Sequence, residues 1–194
     1  MAPEGADWRV GLRRDAAAVL TSWTPSDDAD RARRNDFLDF LAEHPDAVSR
    51  DCLAGHLTAS ALIVNPDATE ALLTLHPKVG LWIQTGGHCE PADVSLRDAA
   101  LREAREESGI ADLRLSSYPV QLDRHTINCR PGVVLDHLDV QYVAIAPPNA
   151  TTSITDESLD LRWFASGTPP QECDASTRAL MARARSLVEQ GEFG

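Results

Sequence analysis

Basic residues are scarce in this 194-residue sequence: 18 Lys and Arg against 30 Asp and Glu give a net charge of −12. No basic field is available to condense on a nucleic-acid backbone or an anionic membrane, so general nucleic-acid binding is disfavoured. If the substrate is itself a polyanion, something positive other than the protein's net field, such as a divalent cation, has to meet it. Cysteine is also sparse. Cys52, Cys89, Cys129 and Cys173 are widely scattered, which implies reduced thiols and no disulfide framework. No apolar run approaches the ~18 residues of a membrane span, and the opening Met-Ala-Pro-Glu-Gly lacks a basic segment followed by an apolar one. A cytoplasmic protein with no membrane partner is expected. Internal repeats and low-complexity tracts are absent too, which excludes solenoids and arrays. What is present, 43% hydrophobic and 25% charged residues, is the balance of a chain able to bury a core. The length fits one domain with a small appendage.

Periodicity changes twice along the chain. From Ala6 to His44, Trp8, Leu12, Ala16, Val19, Leu20 and Trp23, then Phe37, Leu38 and Leu41, recur at helical spacing. Thr24-Pro25-Ser26-Asp27-Asp28 supplies a stop and a restart, so two helices are expected. From His56 to about Phe164 the pattern is strand-like, at 61–64, 71–75, 81–84, 140–145 and 159–164. One helix interrupts it, from Ser95 to Ser108, opened by the capping-box form Ser95-Leu-Arg-Asp98 and closed by Gly109. A last amphipathic helix opens at Asp174 and carries Leu180, Ala184 and Leu187. This order predicts an α/β or α+β fold, a mixed sheet sandwiched between helices. Residues 1–50 form a helical extension and residues 51–194 the main domain.

The central helix carries the chemistry. At roughly 100° per residue, Leu96, Ala99, Ala100 and Ala104 make an apolar stripe, with Arg97, Asp98 and Arg105 facing away. Glu103 and Glu107 fall about 20° to either side of Leu96, on the buried stripe, and Glu106 flanks them. Like charges at i and i+4 repel, acids in the last turn oppose the helix dipole, and a core-facing carboxylate loses solvation. The helix therefore needs a compensating positive charge, which a hard divalent cation would supply. An ordinary solvated salt-bridge face is the competing explanation for such a charged run. Ahead of the helix, Thr85-Gly86-Gly87-His88 offers a backbone that bends sharply and exposes its amides, as in an ordinary turn.

The run Gly86-Gly87-His-Cys-Glu-Pro-Ala-Asp93, followed by Ala99-Ala-Leu-Arg102-Glu103-Ala-Arg-Glu106-Glu107-Ser-Gly109-Ile110, resembles the Nudix box. The half from Arg102 to Ile110 matches at every fixed position, with Ala104 as a small version of the aliphatic. The first half departs from the pattern: Asp93 stands where Glu is usual, and one extra residue precedes Arg102. Asp93 or Glu90 is then the candidate to take over the first Glu's partnership with Arg102.

By this resemblance the protein hydrolyses a diphosphate linkage in a nucleoside diphosphate derivative, a small-molecule partner. Glu103, Glu106 and Glu107, with the Gly86 carbonyl, would hold Mg²⁺ or Mn²⁺, and Arg102 would orient the glutamates. Glu103 is the box candidate for general base, and Glu157 a weaker one outside it. The same fold also suits a non-catalytic nucleotide-binding or regulatory module.

Three minor readings accompany these. The segment His76-Pro-Lys-Val-Gly-Leu-Trp82 followed by Gly-Gly-His88-Cys89 has some look of isopentenyl diphosphate isomerase, although Cys89 follows the Gly-His where that enzyme's cysteine precedes it. A zinc site is conceivable from Cys52-x-x-x-His56, His88-Cys89, His125-x-x-x-Cys129 and His137, but none has paired C-x-x-C spacing, so each is expected to be a packed or surface residue. Trp82, His125, Tyr142 and Trp163 are candidates to stack on a base, with core packing as the ordinary alternative. The N-terminal helices are expected either to cap a sheet edge or to make a homodimer contact.

Overall fold

The computed structural model describes residues 7–130, 133–155, 158–191 and 193. Helix α1 (Trp8–Ser22) begins where the Asp7 side chain accepts the Arg9 N–H, and α2 (Asp28–Glu43) where Asp27 accepts the Asp30 N–H. Both are N-caps of the kind that satisfies an otherwise orphaned amide. Strands β1 (His56–Val64), β2 (Glu70–Leu75), β3 (Trp82–Ile83) and β4 (Thr85–His88) follow, then α3 (Leu96–Ser108). The chain continues through β5 (Arg114–Leu115), β6 (Gln121–Arg130), β7 (Val133–Ile145) and β8 (Leu161–Ala165) to α4 (Ala175–Glu189).

The eight strands form one mixed sheet in which β3, β2, β1, β7 and β5 lie side by side, with β4 on β1, β6 on β7 and β8 on β2. At its centre β1 runs parallel to β7 in unbroken register from His56 opposite His137 to Val64 opposite Ile145. The other edge of β1 is shared: β4 pairs with Thr58 to Ala61, and β2 with Ile63 and Val64. The α+β architecture anticipated from the order of elements is therefore present, with helices on both faces.

Alternation along β1 separates two cores. Leu57, Ala59, Ala61 and Ile63 pack with Leu12 and Leu20 of α1, Phe37 and Leu41 of α2, and Leu96, Ala99, Ala100 and Ala104 of α3. Leu62 and Val64 face the other way, onto Leu180, Met181 and Ala184 of α4. Each fully buried leucine contributes about 1.5–3 kcal/mol of apolar burial. The N-terminal helices share the core of the sheet, and polar links reinforce this. Arg124 of β6 grips both carboxylate oxygens of Asp36 at 2.9 and 2.8 Å, while Arg183 of α4 reaches Asp30 at 2.7 and 3.2 Å.

Two elements differ from the sequence expectation. Gly86 and Gly87 are not a turn but lie within β4, opposite Ser60 and Ala59 of β1. Lacking side chains, they leave β4 close against both its neighbour and α3. Strand β7 begins well before residue 140, and its partner β6 was hidden by the unbroken polar run Asp123-Arg124-His125-Thr126. No helix among the described residues is long and apolar enough to cross a membrane.

The N-terminus of α3 is held from outside its own segment. Ser95 accepts the Asp98 N–H at 3.0 Å as a cap, and Asp15 of α1 accepts the Leu96 N–H at 2.8 Å. Asp15→Ala strands that amide, and unfolding in urea should show a loss of about 1 kcal/mol, the scale of a lost cap. An unchanged midpoint would mean that solvent replaces the carboxylate at no cost.

Candidate active site

Helix α3 has the amphipathic layout expected from its sequence. Leu96, Ala99, Ala100, Ala104, Glu103 and Glu107 are buried, and Gly109 closes the helix in the left-handed region at φ 72°. Glu106 stays at the rim, its side chain 59% exposed. Arg97 is the exception to the outward-facing set: its guanidinium bends back to donate to the Leu115 and Ser116 carbonyls at the edge of the sheet.

The buried carboxylates fit because of the strand beneath them. A Cβ on Gly87 would come within 2.5 Å of Glu103 Oε1, and one on Gly86 would run into Ser60 of β1. The Gly86 N–H donates to Glu107 Oε1 at 2.9 Å. The two glycines therefore do separate things: one leaves room for a carboxylate, the other lets β4 approach β1 closely enough to present its amide to a second carboxylate.

Arg102 ties the cluster to the preceding loop. Nε and Nη2 each donate at 3.0 Å to the two oxygens of Asp93, a bidentate pair. Nη2 also donates to the His88 carbonyl at 2.9 Å, and Nη1 to Glu103 at 2.9 Å and Glu106 at 3.1 Å. The Asp93 bonds, together with Glu103, hold the guanidinium protonated far above its usual range. Of the two acids that the sequence offers as partner for Arg102, the structure selects Asp93. The Glu90 side chain is not used, but the Glu90 N–H anchors Asp93 Oδ2 at 2.7 Å, so the turn from Glu90 to Asp93 delivers the shorter acid to the arginine.

The other sequence candidates separate. Cys89 is buried in the core on the α3 side, and burial, with Asp93 next, pushes its thiol up to about 12. Such a thiol is a poor nucleophile. Tyr142 is fully buried, and Trp82 packs edge-on against Phe164 at 4.8 Å, so neither is free to stack on a base. Trp163 packs against the core with part of its ring exposed. His125 lies at the surface with Nδ1 2.8 Å from Asp123, which raises its pKa. Glu157 and the Cys129 side chain lie outside the described residues.

On the opposite face of the sheet, His56, His88 and His137, far apart in sequence, come together with ring centroids 4.8 to 5.2 Å apart. Beside them Asp139, which the sequence reading missed, accepts from Thr58 at 3.0 Å, Ser60 at 2.6 Å and Gln141 at 2.9 Å. Burial raises the pKa of Asp139 against the pull of these bonds. The alternation His137, Asp139, Gln141 against Leu138, Val140, Tyr142 was the available signal: a strand with one apolar and one polar face.

The family profile described as NUDIX domain matches residues 55–182. Among solved structures, the chain is similar to a hydrolase, NUDIX family, from Clostridium perfringens (22% identity, TM-score 0.52, covering 70% of this chain and 97% of that one). It is also similar to a C. elegans Ap4A hydrolase binary complex (16% identity, TM-score 0.56, covering 69% and 98%). A third is the NUDIX domain of Shewanella oneidensis NrtR complexed with ADP ribose (23% identity, TM-score 0.50, covering 76% and 96%).

Replacing Asp93 with Ala removes two charge-assisted bonds from a mostly buried guanidinium, and should lower the unfolding free energy by about 2–3 kcal/mol. Asp93→Glu should retain most of it. Equal stability of the wild type and the Ala variant in denaturant titration would show that the pair holds nothing together.

Proposed function

The chain belongs to the Nudix family, and we propose that it is a hydrolase, a metal-dependent pyrophosphohydrolase acting on a nucleoside diphosphate derivative. Residues 51–194 would carry the activity and residues 1–50 would brace it. One observation carries the reading: Glu103 and Glu107 are buried against Gly86 and Gly87 of β4, where a side chain on Gly87 would collide with the Glu103 carboxylate, and Glu106 stands beside them. A set of hard carboxylate oxygens suits Mg²⁺ or Mn²⁺.

Glu103, Glu106 and Glu107, with the Gly86 carbonyl, would hold the ion. When bound, the ion neutralises phosphate oxygens and lowers the pKa of a coordinated water. The protein's own part is positioning. Arg102, fixed by Asp93 and the His88 carbonyl, keeps Glu103 and Glu106 in place. The Gly86 amide fixes the second oxygen-bearing arm, Glu107. Glu103 would be the carboxylate that takes the proton of an attacking water. The departures in the first half of the box do not remove this machinery, since Asp93 reaches Arg102. Activation of Cys89, which an isomerase-like reaction would require, is opposed by its burial.

A panel of nucleoside diphosphate derivatives incubated with Mg²⁺ or Mn²⁺ tests the reading. At least one member should be cleaved, and Glu107→Gln should reduce kcat by about 100-fold or more while the variant stays folded, the scale of losing a key electrostatic group. Nucleotide binding with no turnover of any member would point instead to a binding module.

A further inference from the structure

We propose that His56, His88 and His137 form a second metal site, nitrogen-based and suited to Zn²⁺, on the sheet face opposite the carboxylates of α3. The three side chains each offer a ring nitrogen, and these atoms lie within 4.8 Å of one another. Three different strands supply them. His56 and His137 stand opposite each other in the parallel β1–β7 pair, and His88 ends β4 opposite Thr58. Gly87 points at Glu103, so the next residue, His88, projects from the other face. His56 likewise alternates with Leu57, which packs toward α3.

Hydrogen bonding argues that something is to be bound there. His56 is only 1% exposed, yet neither of its ring nitrogens has a well-formed hydrogen bond, and His137 Nε2 is also buried without one. The Cys52 backbone is the polar group nearest to hand for the His56 ring. Leaving a buried polar group unpaired costs about 1–3 kcal/mol, and three such nitrogens in one cluster exceed what ordinary core packing explains. A bound ion would satisfy one nitrogen on each ring.

The chemistry selects the ion. Each ring offers one nitrogen to the centre of the cluster, and it is the neutral imidazole that ligates. Neutral imidazoles suit zinc and its borderline neighbours and are poor ligands for Mg²⁺, which prefers oxygen. Tetrahedral zinc with bonds of about 2.0–2.1 Å places its nitrogens about 3.4 Å apart. From at most 4.8 Å the rings need close by only about 1.4 Å, a small rotation of side chains on fixed strands. Three imidazoles leave a fourth position for water. His125, its ring 5.5 Å from that of His137 and oriented by Asp123, lies beside the cluster.

Zinc binding to the full chain, stripped with a chelator and supplied with excess Mg²⁺, tests the proposal. One zinc per chain should be retained, Co²⁺ should give the visible absorption of a tetrahedral nitrogen site, and zinc should raise the melting temperature. Loss of a second-shell partner typically weakens a metal site by about 10–100-fold, so removing a ligand in His137→Ala or His88→Gln should cost more than about 100-fold in zinc affinity. The carboxylate variant Glu107→Gln should bind zinc as the wild type does, which separates this site from the proposed hydrolytic one. If circular dichroism shows His137→Ala unfolded, the less buried His88→Gln decides. No retained zinc in the wild type, undiminished affinity in the folded histidine variants, or loss of zinc in Glu107→Gln would each overturn the proposal.

Discussion

Two carboxylates buried side by side on the inner face of a helix are the constraint around which this protein is built. Glu103 and Glu107 are one turn apart in the last turns of α3, where both mutual repulsion and the helix dipole act against them. The position is tenable because β4 offers a glycine at the point of contact and a backbone amide from the glycine next to it. Everything nearby serves that seating: β4 must lie tight on β1, which Gly86 permits, and α3 must hold its angle over the sheet.

The second requirement accounts for much of the surrounding architecture. Arg102 ties α3 to the loop that leads into it, through Asp93 and the His88 carbonyl, so helix and strand are bound at the level of the carboxylates. At the far end of α3, Asp15 of α1 caps the helix alongside Ser95. The N-terminal helices are in this sense part of the site's scaffold, placed in the same core as the helix they steady. The sheet also divides labour between its faces. Toward α3 it presents apolar residues and glycine, and away from α3 it presents the histidines, Asp139 and Gln141 together with the apolar patch of Leu62 and Val64 under α4.

Much of the box helix was legible from sequence because its signals are local. The Ser95 cap, the Gly109 terminator and the buried placement of Glu103 and Glu107 all follow from spacing within a single helix. The partner of Arg102 could be narrowed to Asp93 or Glu90 but not chosen, since the choice depends on how the turn from Glu90 to Asp93 folds. Gly86-Gly87 reads as a turn when seen alone; only the pairing with β1 shows a strand needing closeness on both sides. Asp15 carries no signal at all, because its bond to Leu96 crosses 81 positions. The histidine cluster was scattered in the same way. His56, His88 and His137 have no motif spacing, and only the parallel register of β1 and β7 makes them neighbours.

The central claim is that the carboxylate face of α3 over the glycine strand gathers a hard divalent ion. Calorimetric titration of Mg²⁺ into the wild-type chain and into Glu103→Gln tests it most directly, since the neutral histidines across the sheet do not compete for that ion. The account predicts a saturable Mg²⁺ heat in the wild type that is lost or strongly weakened in the variant. Identical titrations of the two proteins would contradict it.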